Sequence, residues 1–112
     1  MQISGNSIHS DGYVELRLSV TAAKTAAYTI TDVDDVVLVN TTGGAVTVTI
    51  PSALIAIPGY QVVIKDVRTG GANAVTIATE GSETIDGAGT GSLTVAYTSM
   101  RLVSNGTNLL TI

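Results

Sequence analysis

Ser7, His9 and Asp11 are the residue types of a nucleophile, a base and an orienting carboxylate, and they stand at alternate positions near the start of the chain. Acyl transfer by such a set needs rigid convergence on one reacting atom. Three near-neighbours in a polar segment, with no nucleophile elbow around the serine, do not supply it. His9 is the single histidine, so no second imidazole exists to act as a base or a metal ligand.

Two acidic groups come next. Asp32, Asp34 and Asp35 could face a hard cation such as calcium. The segment lacks the following glycine and the distal glutamate of a calcium loop, so a solvated turn between strands is the better reading. Glu80, Glu83 and Asp86 lie on a glycine-rich loop. Paired carboxylates across a groove hydrolyse glycosides, but the chain has four Tyr and no Trp or Phe to build a sugar platform. Asn40-Thr41-Thr42 and Asn105-Gly106-Thr107 fit the glycosylation sequon. Both fall where a turn already calls for asparagine, and no secretion signal is evident, so they read as turn chemistry. The glycine pairs at 43–44 and 70–71 lack the P-loop lysine and cradle no phosphate. No catalytic residue, no cofactor and no metal site is expected, and no small-molecule substrate.

The elements that would have to position any such groups are β-strands. Val, Ile and Thr make up 41 of the 112 residues. Branched Cβ atoms lose rotamer freedom on a helix and fit a pleated surface. A helical bundle and a coiled coil are thereby excluded. The net charge of −4 leaves no basic footprint for nucleic acid or for an anionic membrane. The chain has no cysteine, hence no disulfide and no thiol nucleophile. Its apolar runs are far shorter than the roughly 20 residues that cross a bilayer. Only 12% of residues are charged, about half the usual share, and the mean hydropathy is +0.42. A small domain with so few charges is expected to cover part of its surface with other subunits.

Residues 1–12 are polar around the isolated Ile3 and Ile8 and read as an extended arm. Residues 13–112 read as one all-β domain, a sandwich or barrel-like body of about nine or ten short antiparallel strands. Tyr13–Val20 alternates cleanly, with Val14, Leu16, Leu18 and Val20 on one face. Three segments then share one plan. They are DVVLVN-TTGG-AVTVTI, QVVIKDV-RTGGAN-AVTIAT and MRLVS-NG-TNLLTI, and each predicts a β-hairpin with glycine supplying positive φ at the turn. The first two share VV, TGG and AVT at offsets of 26 to 29 residues, a repeat too loose and too few in number to suggest a solenoid. Pro51 and Pro58 bracket a segment whose Leu54, Ile55 and Ile57 are expected to cap one end of the core. Ser92–Tyr97 predicts a strand with Leu93, Val95 and Tyr97 inward. The expected core is Val14, Leu16, Leu18, Val37, Val39, Val46, Val48, Ile50, Val63, Ile77, Val95 and Leu102.

The run VLVNTTGGAVTVTIPSA, then GYQVVIKDVRTGGANAVTIATEGSETIDG, then a closing strand–SNGTN–strand resembles β-rich modules of tailed-bacteriophage virion proteins. These are small head decoration (cement) proteins and tail-fibre or spike modules. The resemblance covers residues 28–112. It implies a trimeric structural protein, not an enzyme, and brings no catalytic residues to carry over. Two functions follow from it. One is a capsid decoration protein on the virion's outer head surface, a homotrimer clamping the major capsid protein. The other is a fibre or spike module that recognises a host-surface glycan. The chain's length, taken as a free-standing protein, and its few aromatics favour the first. On that reading the arm docks on neighbouring subunits, with Ile3 and Ile8 seated in shallow grooves.

Overall fold

The computed structural model describes residues 17–112, together with the backbones of two short strands ahead of them. These strands, β1 (Ser7–Ile8) and β2 (Val14–Glu15), pair antiparallel with Ile8 opposite Val14, in a two-stranded sheet of their own. Ile3 and Leu16 lie outside the described residues, as do the side chains of Ile8 and Val14.

The rest of the domain is all-β, with eight strands in two four-stranded sheets and one short helix. The strands are β3 (Tyr28–Thr29), β4 (Val36–Val39), β5 (Val46–Ile50), β6 (Gln61–Asp66), β7 (Val75–Thr79), β8 (Thr90–Leu93), β9 (Ser99–Ser104) and β10 (Leu109–Thr111). Helix α1 (Ser52–Ile55) lies between β5 and β6. One sheet runs β10-β9-β6-β4 and the other β3-β5-β7-β8.

The first two expected hairpins are absent. β4 and β5 belong to different sheets, and so do β6 and β7. The segments TTGG and RTGGAN are therefore arches that carry the chain across the core. β4 lies parallel to β6, and β5 parallel to β7 and β3, so the expectation of uniformly antiparallel strands is corrected. The physical reason is that alternation specifies only that one face of each strand is buried. A hairpin lays the two buried faces side by side in one sheet, whereas an arch turns them toward each other, and the same residues serve both. The loose repeat is the trace of this stacking. Val36 pairs with Val63 and Val46 with Val75, separations of 27 and 29 residues. A shorter rung precedes them, with Val20 bridging parallel to Val36 and Lys24 to Val39. The stack thus has three parallel rungs. Direction then reverses, as β8 and β9 pair antiparallel with β7 and β6.

The third hairpin forms as expected. β9 and β10 pair antiparallel about Asn105-Gly106, where Gly106 takes φ +96°. Gly71 in the second arch also needs positive φ, at +81°, but Gly43, Gly44 and Gly70 do not adopt it.

The core draws on both sheets. Val37, Val39, Ile64 and Leu102 of the first meet Val46, Val48, Ile50, Val75 and Ile77 of the second. Each such side chain contributes about 1.5–3 kcal/mol by leaving water. Helix α1 and the bend after it close one side, burying Leu54, Ile55 and Tyr60, while Ile57 turns outward. Three other core assignments are corrected. Val63 is half-buried, because β6 turns Val62 and Ile64 inward instead. Leu18 is 70% exposed on the outermost rung, beyond which no further rung packs among the described residues. Val95 is 60% exposed because β8 ends at Leu93 and the chain turns, with Tyr97 at φ +62° and also exposed.

Candidate functional site

The turn carboxylates are committed to holding the chain. Asp34 accepts the Thr31 N–H at 2.9 Å and the Tyr28 hydroxyl, and Asp35 accepts the Ser19 N–H at 2.8 Å. Burial, then the hydrogen bond to Asp34, pushes the Tyr28 phenol up to about 12. Donors therefore face these oxygens where a cation would have to stand. Among the described residues no group of three His, Asp or Glu side chains could hold a metal.

The second acidic group does not converge either. Glu80 Oε1 accepts the Ser52 N–H at 3.1 Å, and Glu83 Oε1 accepts the Gly81 N–H at 3.0 Å. Asp86 turns the other way, onto the Thr111 N–H at 3.0 Å and the Thr111 hydroxyl. A glycoside-cleaving pair is not assembled there. Ser7 lies on β1, and His9 and Asp11 lie outside the described residues. Asn40 Oδ1 accepts the Thr42 N–H, and Asn105 Oδ1 accepts those of Thr107 and Asn108. Both sequon amides thus shape turns.

Three surfaces remain. The first is a groove of about 320 Å³ on the side closed by α1. It is lined by Ser52, Ile55 and Ala56 below and by Ser82, Glu83, Thr107 and Asn108 along its rim. The Ser52 hydroxyl, then backbone N–H groups, hold the Glu83 carboxyl below its ordinary range. Asn108 Oδ1 is taken by the Thr84 N–H at 2.9 Å, which orients its NH₂ as a donor. An acceptor and a donor lining one groove suit a hydroxyl-bearing ligand.

The second surface is the arch side. Buried Thr41, Asp66 and Arg68 form a polar network there with the half-buried Asn73. Arg68 Nε lies 3.5 Å from Asp66 Oδ2, and the guanidinium donates to the carbonyls of Asn73 and Thr94. Asn73 Nδ2 donates to the Thr41 carbonyl at 3.0 Å. Thr41 joins the first arch to Asp66 and to Asn73 of the second, and Arg68 reaches Thr94 on the crossing from β8 to β9, so the network ties three chain crossings together. Composition did not single it out, but alternation carried a signal. Val62, Ile64, Asp66 and Arg68 share one phase of β6 and its continuation, and all four are buried. Above the network stand the exposed Val95 and Tyr97, with Lys65 Nζ donating to the Tyr97 carbonyl at 3.1 Å.

The third surface is the outermost rung. Leu18, Val20 and Val33 are each more than half exposed, beside exposed Ala22, Ala23, Ala26 and Ala27. Lys24 is drawn aside, its Nζ 4.3 Å from the centre of the Tyr28 ring.

No protein-family model matches the chain, and no curated protein matches it.

Proposed function

We propose that the protein is a non-enzymatic decoration (cement) protein of a tailed-phage head. On this reading it is a homotrimeric β-sandwich that binds the outer surface of the major capsid protein and stabilises contacts between capsid subunits. The sandwich form is supported by strand pairing, which among the described residues stays within each four-stranded sheet.

The observation that carries the function is the exposed apolar surface. Among the described residues eight large hydrophobic side chains are more than 40% exposed, including Leu18, Val95, Tyr97 and Ile112. Few charges surround them, since only 12% of residues are charged. Such surface is costly on a lone small domain and useful where subunits cover it. A cement protein needs no reaction. It needs buried area across joints, on the order of 1,600 Å² per stable contact, and several copies acting together. The test mixes the protein with undecorated phage heads and measures copies bound and the temperature at which heads rupture. Saturable binding with a raised rupture temperature supports the reading, and no binding overturns it.

A glycan-binding fibre or spike module is the second reading, favoured by the groove at Ser52, Glu83 and Asn108. There, host-cell binding would be lost on Asn108→Ala, while head occupancy would be nil.

A further inference from the structure

We infer that the edge of the outermost rung, residues 19–24, is the receiving edge for the N-terminal strand pair of a second copy of this chain. The inference deepens the proposed homotrimer and rests on that reading only for the number of copies.

Among the described residues the rung is bonded on one side only. Thr21 N–H donates to the Val36 carbonyl, Val36 N–H to that of Ser19, and Lys24 N–H to that of Leu38. The backbones of Ser19 and Thr21 therefore face β4. Val20 and Ala22 point their N–H and C=O groups the opposite way, where no hydrogen bond meets them among the described residues. A row of unpaired backbone groups flanked by apolar side chains templates strand addition.

The opposite end of the same sheet is closed. The far edge of β10 is taken up by residues 84–86. Leu109 N–H donates to the Thr84 carbonyl at 2.8 Å, Asp86 N–H to that of Leu109 at 3.0 Å, and the Asp86 carboxylate caps Thr111. One terminal edge thus carries its own cover, and among the described residues the other carries none. In a stack of rungs the terminal ones need a cover of their own.

The candidate cover lies in the chain immediately ahead. β1 and β2 pair only with each other among the described residues, which leaves each with a second, unused edge. Only four residues separate Glu15 from Val20, and Ser19 and Thr21 are already bonded to β4. Folding β2 back onto its own rung would need a reversal inside residues 16–18. Reaching the rung of a neighbouring copy needs none. Exchange of this kind is head-to-tail, the contact that closes a ring of three.

The protein contains no cysteine, so paired cysteines report the contact directly. Single variants Val14→Cys and Glu15→Cys are each mixed with Val20→Cys and Ala22→Cys, covering both phases of the strand. Opposed residues in a ladder have Cα atoms about 4.5–5.5 Å apart, within disulfide reach. At least one mixture should give a disulfide-linked pair of two different chains on mild oxidation. No such product in any of the four mixtures overturns the proposal. Deletion of residues 2–15, and separately the pair Val20→Lys with Ala22→Lys, should each reduce the sedimenting mass to that of one copy of the respective chain, 11.4 kDa for the full-length lysine variant and correspondingly less for the deletion, with strand content retained. A parent-like mass in the lysine variant also overturns it. Head occupancy enters none of these readings, so a failure here leaves the capsid proposal standing and a failure there leaves this one.

Discussion

Thr41 and Asp66, 25 residues apart in sequence, meet at the arch side with the threonine hydroxyl 3.2 Å from both carboxylate oxygens. Both residues are fully buried. The contact joins the first arch to the strand that enters the second, and the Asp66 Oδ1 also accepts the Arg68 N–H at 3.0 Å. Replacing Asp66 by Ala leaves the Arg68 guanidinium buried without its counter-charge. Breaking such a pair costs on the order of 3–5 kcal/mol. Thr41→Val removes one hydrogen bond and should cost about 1 kcal/mol. Urea unfolding checks both, and a loss below 1 kcal/mol for D66A would show that the pair is dispensable.

Tyr60 carries a fully buried hydroxyl with no hydrogen-bond partner among the described residues. Burial raises its phenol far above the ordinary value, with smaller contributions from Asp34 and Asp35. Tyr60→Phe deletes the unsatisfied group and keeps the ring. Stability should rise by about 1 kcal/mol, seen as a higher midpoint at unchanged m-value. A clear loss of stability would reveal a partner for the hydroxyl.

Val48 and Leu18 separate core from edge. Val48 is fully buried at the centre of its sheet, where truncation to Ala should cost on the order of 1–3 kcal/mol through lost burial and a residual cavity. Leu18→Ala should change the stability of the isolated domain by less than about 0.5 kcal/mol. Thermal melts at low protein concentration, where association contributes least, make the comparison.

Acid should weaken the fold through Glu83 and Asp86. The Ser52 hydroxyl, then backbone N–H groups, hold the first below its ordinary range, and the Thr111 hydroxyl, then its N–H, hold the second below its own. Depressed folded values mean that the unfolded chain takes up the proton first as pH falls. Their contribution is therefore complete above about pH 5 and fades as pH drops through those values. The melting temperature should fall from pH 5 toward pH 3, and less steeply in Ser52→Ala and Thr111→Val. An identical slope in all three proteins would remove these carboxylates from the acid response.

Strand positions were legible where alternation is anchored on both sides. Val37 and Val39, then Val46, Val48 and Ile50, and Ile77 are buried as their spacing required. β6 reads as QVVIKDV, with adjacent valines that fit either phase, and the inward one is Val62 rather than Val63. Leu18 and Val95 alternate as a buried strand would, yet one lies on the outermost rung and the other past the end of β8. Burial there depends on what packs alongside, which a single strand does not encode. The arches were hidden for a related reason. TTGG suits a sheet-crossing turn as well as a hairpin, and only pairing between distant strands separates the two. The Thr41–Asp66–Arg68 network was readable in principle, because a carboxylate and a guanidinium continue the inward phase of β6.

The parallel rungs make the protein extensible. The circuit from β4 and β5 to β6 and β7 uses 27 to 29 residues and returns the chain to the same place one strand further along. A duplicated circuit inserted between β5 and β6 would lengthen the body by about 4.7–4.9 Å. The cross-section, both end surfaces and the cover that residues 84–86 place on β10 would be untouched. Height can therefore change by whole steps while whatever binds the two ends stays constant.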